Sequence, residues 1–410
     1  MDYFPLFLSK QDQMIAKVIR KFVDHEIMPV RDQIDDDLDH ALINKILKKL
    51  SGLGLDGGIS LIEQSKEEDF EQQFHVTSSI IVEELSRGDT GIGIVNALNG
   101  WVLLPAFYAG NQTVLDLYTG MAKTKSPALA CFAMTEADGG CDIENLPLLH
   151  GKTIKTTARQ NGDEWVIQGA KTMPSNSAIS SLYCVVCQTD ASKGTDGIAL
   201  IYVPVDTQGL SFGKFERKAG LQADRNADIY FDDVRVPLSY RASGNGRDAE
   251  LLKANLAYGR VASAAAAVGC ARGAFEEVLK YTGERVVGGK KIREHSIAAG
   301  MLAEMATGIE TARSFYLQAA YMLSHTAEFG PAHHDRQLCY ASMSKNYATE
   351  VAISVTNKAM ELMGSYGYLR DYHVEKYWRD AKELQLWLGG AQLGRFDIAR
   401  GYYPYQTTEL

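Results

Sequence analysis

Two changes of hydrophobic period divide this chain. Up to about Lys125 the apolar residues recur at helical spacing. Ile15, Val18, Ile19 and Phe22 follow Ser9-Lys-Gln-Asp12, a capping-box-like start, until Pro29 stops the pattern. The period resumes from Val76 to Leu85, breaks at Gly88 and restarts from Ile92 through Leu104. From Ala128 the period becomes two: Thr153 to Ala158, Trp165-Val-Ile, Leu182 to Val186, Ile198 to Val203 and Ile229 to Phe231 are short β-rich runs, with turns at Asn161-Gly162 and Asp196-Gly197. Beyond Ser243-Gly-Asn-Gly246 helical spacing returns over Ala249–Glu284, Glu294–Thr326, Ala332–Met363 and Val374–Ala399. This order predicts an α+β chain: an N-terminal helical domain (1–127), a small antiparallel β-domain, barrel or sandwich (128–240), and a C-terminal four-helix bundle (241–410).

A chain of 410 residues, 46% hydrophobic, is long enough for two or three packed domains. Its net charge of −9, with Lys and Arg interspersed among acids, argues against a nucleic-acid footprint. Asp35-Asp-Asp37 with Asp39 reads as a solvated loop or helix start. No apolar run reaches the ~18 residues of a membrane span and Met1-Asp2-Tyr3 begins no signal peptide, so a cytoplasmic location is expected. Cys184 and Cys187 have C-x-x-C spacing. They sit in a strand pattern without a second pair, and read as buried thiols rather than metal ligands.

The chemistry concentrates at Cys131 to Asp142. An apolar run turns there into Thr135, two carboxylates and Gly139-Gly140, a strand ending in a loop whose backbone can approach a phosphate closely. The run Phe132-Ala-Met-Thr-Glu-Ala-Asp-Gly-Gly-Cys-Asp142 resembles the flavin-binding signature of the acyl-CoA dehydrogenase family. Trp165–Lys171, Phe231–Pro237, Gly364–Tyr368 and Glu375–Ala381 resemble further blocks of that family, in family order. The resemblance spans nearly the whole chain. It implies FAD as cofactor, an acyl-CoA substrate, electron-transferring flavoprotein as acceptor, and a tetramer built as a dimer of dimers, either a homotetramer or a heterotetramer with a relative.

The resemblance also assigns residues. Phe132, Met134 and Thr135 would face the isoalloxazine, with Gly140 and Cys141 at the pyrophosphate and Cys141 also beside the substrate. Met173 stands where an aromatic usually covers the ring, and Ser175 stands for a Thr. Arg285 would reach the pyrophosphate of a neighbouring subunit's flavin, a bidentate role suited to Arg. Ser296, Glu361, Gly364, Ser365 and Gln392 complete a thinned dinucleotide site, and Arg260 and Gly389 would contact the acyl-CoA.

Oxidising an acyl thioester between Cα and Cβ needs a base for the α-proton. In most of the family a Glu stands where this chain has Leu388, and in others one stands where this chain has Gly259, so both usual positions lack a carboxylate. On a continuous helix Glu383 lies about 140° round from Leu388 and more than a turn away, which makes it a poor substitute. Asp89, in Arg87-Gly-Asp-Thr-Gly91, is the candidate replacement, and as an ordinary alternative it caps the helix that follows. Three functional readings stand: a dehydrogenase of an unusual alicyclic, branched or dicarboxylic acyl-CoA with a relocated base, a base-less partner subunit of an active relative, or a flavin enzyme acting on an already acidic acyl-CoA.

Overall fold

A computed structural model describes residues 8–58, 62–63, 70–139, 154–244 and 246–403. The longer helices of the first part are α1 (Lys10–Phe22), α2 (Ala41–Ser51), α3 (Phe70–Gly88), α4 (Thr90–Ala109) and α5 (Gln112–Thr124). The expected capping box starts α1: Asp12 N donates to Ser9 Oγ at 3.0 Å and Ser9 N to Asp12 Oδ2 at 2.9 Å. Among the described residues α4 alone is long and apolar enough to cross a membrane, but 78% of its most apolar window is buried inside the protein. It is the central core helix, hydrophobic all round because protein surrounds it. Pro105 breaks its hydrogen-bond ladder, and the Tyr202 hydroxyl enters the gap, accepting from Ala106 N at 3.2 Å and donating to Val102 O at 2.8 Å.

The strands β1 (Ala130–Ala133), β2 (Thr157–Asn161), β3 (Glu164–Lys171), β4 (Leu182–Gln188), β5 (Ile198–Pro204), β6 (Leu210–Phe212) and β7 (Ile229–Pro237) form one seven-stranded sheet in the order β1-β4-β2-β3-β7-β6, with β5 also on β4. It is mixed rather than wholly antiparallel. β1 runs parallel to β4, with Ala130 opposite Leu182, and β2 meets β4 in parallel at Thr157 and Gln188. Both faces of β4 are covered, so its pattern is continuously apolar. Cys184 and Cys187 lie wholly buried in it, and burial pushes the Cys187 thiol up to about 12.

The bundle comprises α6 (Arg247–Glu284), α7 (Ser296–Ser324), α8 (Asp335–Met363), α9 (Val374–Leu386) and α10 (Gly390–Tyr402). Its last segment is two helices, not one. Trp387 turns extended and Leu388 takes φ +50°, ending α9 short of the family's base position. Small residues bring α6 against α3: a Cβ on Gly269 would stand 2.3 Å from Glu83 O. The approach seals a buried ionic cluster in which Glu83 Oε1 receives Arg272 Nη1 at 2.6 Å and Arg313 Nη2 at 2.7 Å, while Glu84 pairs with Arg272 and Arg20. Removing one partner from such a cluster costs about 3–5 kcal/mol, because the other charge stays buried.

Candidate active site

A cleft of about 270 Å³ lies where the end of β1, the Met173–Ser175 turn after β3, the 221–226 loop before β7 and the α9–α10 junction converge. Its walls include Phe132, Met134, Thr135, Met173, Ser175, Leu388 and Gly389. Thus seven of the residues singled out in the sequence meet in one place, although they come from three separate segments.

The loop after β1 is held from behind. Buried Lys171 donates to Met134 O at 2.9 Å and to Glu136 Oε1 at 2.8 Å, while the Glu136 carboxylate accepts Lys155 N at 2.7 Å and Thr156 N at 2.9 Å. Thr172 N donates to Thr135 O at 2.8 Å. These bonds fix the backbone at Met134 and Thr135, leaving Thr135 to face the cleft. Opposite, Lys218 donates to the carbonyls of Leu221 and Asp224 at 2.8 and 2.6 Å, clipping the 218–224 turn. Asp224, 3% exposed, accepts Ser175 Oγ at 2.7 Å and Asn176 N at 3.0 Å.

Glu383 also lines the cleft. Only on a helix continuing past Leu388 would Glu383 point away from that position. Because α9 ends at Leu386 and the chain reverses through Leu388, Glu383 and Leu388 face the same space. Burial raises the Glu383 carboxyl above its ordinary range, Lys218 opposes that shift, and Asp224 adds to it by like-charge repulsion.

Asp89 lies elsewhere, which corrects its candidacy as base. Its Oδ1 accepts Ile92 N at 2.9 Å as the N-cap of α4, and its Oδ2 lies 2.8 Å from Lys376 Nζ. Lys376 also pairs with Asp380 at 2.8 Å and Asp35 at 3.4 Å, so the Asp35 end of the acidic run is anchored in the protein rather than solvated. Arg260 is likewise turned away from the cleft: it is buried in the bundle, donating to Ser342 Oγ at 2.7 Å and pairing with Asp397. Gly259 sits under Trp101, where a Cβ would stand 2.9 Å from the indole Nε1. That indole donates to Asn255 O at 2.7 Å, packs on Phe132 at 4.8 Å between centroids, and lines the cleft.

The remaining assigned residues are on the surface. Arg285 lies over the Tyr366 ring at 5.5 Å, next to Ser365 and to Gly364, which ends α8 at φ +59°. Ser296 begins α7, Glu361 accepts from Asn357 Nδ2 at 2.8 Å, and Gln392 accepts from Arg395 at 2.6 Å. None of these lines the cleft. Gly140 and Cys141 fall outside the described residues.

The cleft fits a flavin ring. Two of its buried polar atoms, Asn226 Oδ1 and Trp387 Nε1, have no hydrogen-bond partner, one an acceptor and one a donor, and an isoalloxazine edge carries both complements. Met173, at φ +49° and 49% exposed, presents a polarizable thioether at the rim. Asp224, Asn226, Trp387 and Trp101 had no signal in the periodicity. The clipped turn from Lys218 to Asn226 interrupts β6 and β7 with polar residues, and that polar interruption was the available cue.

Models of the acyl-CoA dehydrogenase N-terminal, middle and C-terminal domains match residues 9–118, 131–234 and 249–403. The chain is 29% identical over 392 residues to cyclohexane-1-carbonyl-CoA dehydrogenase of Geobacter metallireducens, covering 96% of this chain and 97% of that protein. It is 30% identical over 395 residues to 3-(aryl)acrylate reductase of Clostridium sporogenes, covering 96% and 99%. A solved structure described as electron transferring flavoprotein of Acidaminococcus fermentans superposes with a TM-score of 0.85 at 28% identity, covering 99% of this chain and 100% of that one. The three matched domains in order and the flavin-sized cleft between them lead to one conclusion: the chain belongs to the acyl-CoA dehydrogenase family, FAD-dependent oxidoreductases that act on CH–CH groups.

Proposed function

We propose that this chain dehydrogenates a compact acyl-CoA thioester, with Glu383 accepting the α-proton and electrons leaving to an electron-transferring flavoprotein. The observation that carries this reading is Glu383, a carboxylate of raised proton affinity lining the same cleft as Thr135, Ser175 and the non-acidic Leu388. When bound, FAD supplies the two-electron acceptor. Phe132, Met134, Thr135, Met173, Asn226 and Trp387 would hold its ring. Ser175, already donating to Asp224, keeps its lone pairs for a donor in the cleft.

The substrate's size follows from Trp101. The bulky indole in the lining takes up room that an extended alkyl chain would need, whereas a ring or short branch needs less. Two similar enzymes named for cyclohexane-1-carbonyl-CoA and for 3-(aryl)acrylate support a cyclic acyl group. The chain with the TM-score of 0.85, described by its electron transferring flavoprotein, supports the acceptor. A tetramer is favoured by Arg285, held over Tyr366 away from the cleft of its own chain, and by Val286, Val287 and Ile297, apolar and more than half exposed near it in sequence. The test is anaerobic mixing of the FAD-loaded protein with cyclohexane-1-carbonyl-CoA, 3-phenylpropionyl-CoA and octanoyl-CoA. Bleaching by a cyclic thioester but not by octanoyl-CoA is expected. Equal bleaching by octanoyl-CoA would overturn the size argument, and full bleaching in Glu383→Gln would overturn the assignment of the base.

A further inference from the structure

A second cavity, of about 430 Å³, opens where the C-terminal end of α4, the N-terminal parts of α3 and α6, and the C-terminal end of α7 meet. It shares no lining residue with the cleft that contains Met173 and Ser175. Its size falls in the range of small-molecule sites. Phe74, Phe107, Leu251, Ala254 and Leu323 supply apolar walls.

Two polar side chains in this lining are at least nine-tenths buried and hold an unpaired atom. His75 is 3% exposed and its Nδ1 has no hydrogen-bond partner, and Ser324 is 5% exposed and its Oγ has none. Buried polar atoms are almost always partnered, and leaving one without a partner is costly. Both residues line the one cavity, and a ligand seated there that pairs with both accounts for the two orphans together. The other ring nitrogen, His75 Nε2, lies 2.8 Å from the Tyr108 hydroxyl. Burial pushes the imidazole down to about 3, which keeps it neutral at physiological pH. A neutral ring offers no charge to compensate a buried carboxylate or ammonium, so the group it receives is itself neutral. Arg247 and Glu250, both in the lining, oppose each other in charge and select for neither sign of ion.

We infer that this cavity binds a neutral aromatic or alicyclic molecule of about two rings carrying a hydroxyl, which hydrogen-bonds His75 Nδ1 and Ser324 Oγ. A hydroxyl is the simplest group that both donates and accepts, and so satisfies either tautomer of His75 together with the serine.

The test titrates 2-naphthol into the FAD-loaded protein by calorimetry while the flavin spectrum is recorded. One-to-one binding that leaves the flavin spectrum unchanged is expected, because the probe occupies a space separate from the cleft. His75→Phe and Ser324→Ala should each weaken binding about 2- to 10-fold, the range of one net hydrogen bond. 2-Methoxynaphthalene, which cannot donate, should bind more weakly than 2-naphthol to the wild type. Ala254→Trp should abolish binding by filling the cavity. Ala332→Trp, on the connecting segment that also lines it, repeats the block where a substitution inside α6 disturbs folding. No heat with saturating 2-naphthol, undiminished affinity in a filled variant that retains FAD, or a flavin spectral shift on binding would each overturn the assignment.

Discussion

Two carboxylates, Asp89 at the head of α4 and Glu383 near the end of α9, compete for the same role on paper, and their surroundings separate them. Asp89 is 1% exposed and has both oxygens engaged, one by the Ile92 amide and the other by Lys376. Glu383 makes no ion pair among the described residues, stands at the wall of an open cleft and is biased towards its protonated form. A carboxylate whose charge is matched on every side fastens elements together. One whose charge is poorly tolerated next to open space is equipped to exchange a proton.

The largest expected effect tests the second half of that contrast. Glu383→Gln should slow flavin reduction by a cyclic acyl-CoA by roughly 10²- to 10⁴-fold in stopped-flow absorbance, with FAD content unchanged. In the wild type the rate should rise with pH through the raised Glu383 value, and the Gln variant should lose that rise. Stability should move the other way. A carboxyl whose folded value is raised holds more protons in the native state, so its contribution falls as pH rises above the unfolded value, and the Gln variant should be no less stable at neutral pH.

Asp89→Ala tests the first half. It removes the cap and one of the three carboxylates around Lys376, with an expected loss of about 3 kcal/mol in urea unfolding, at the low end of a broken buried pair because Asp380 and Asp35 remain. A loss under ~1 kcal/mol would count against the fastening role. Asp89→Asn, which still caps, should cost less and leave the reduction rate near wild type.

The ionic cluster at Glu84 extends the comparison to acid. Burial alone raises this carboxyl, but Arg272 and Arg20 outweigh burial and bring it down to about 2. Its stabilisation, on the order of 3 kcal/mol, is therefore fully present above the unfolded value of about 4.5 and lost as pH falls towards about 2. Melting temperatures across that window should fall steeply. A flat profile would show that the arginines do not depress Glu84.

Trp101→Leu should cost about 2 kcal/mol in packing and admit longer acyl groups, read as octanoyl-CoA-driven bleaching absent from the wild type. The smallest expected change in stability, within ~0.5 kcal/mol, belongs to Arg285→Ala, whose readout is FAD retention after gel filtration rather than unfolding.

The order of elements was legible because local period and turn residues carry it: the Ser9–Asp12 box, the Gly88 break and the return to helix after Gly246 all stand where the spacing put them. The same holds for the cleft's motif residues. What could not be read depends on partners distant in sequence. Lys376 is 287 residues from Asp89, and nothing local announces that they meet. Arg260 kept its identity while Asp397 and Ser342 took it into the bundle. The parallel pairing of β1 with β4 and the reversal at Leu388 arise from tertiary packing that overrides the local pattern. That reversal is what turned an unpromising Glu383 into the candidate base.

The fit of Trp101 over Gly259 couples the two positions. With the indole 2.9 Å from where a Cβ would be, a carboxylate cannot enter position 259 by a single mutation without displacing Trp101. A smaller residue at 101 would have to accompany an acidic residue at 259 for both to fit. Changing residue 259 alone gives an overpacked protein, so the two positions are open to that alternative chemistry only as a pair.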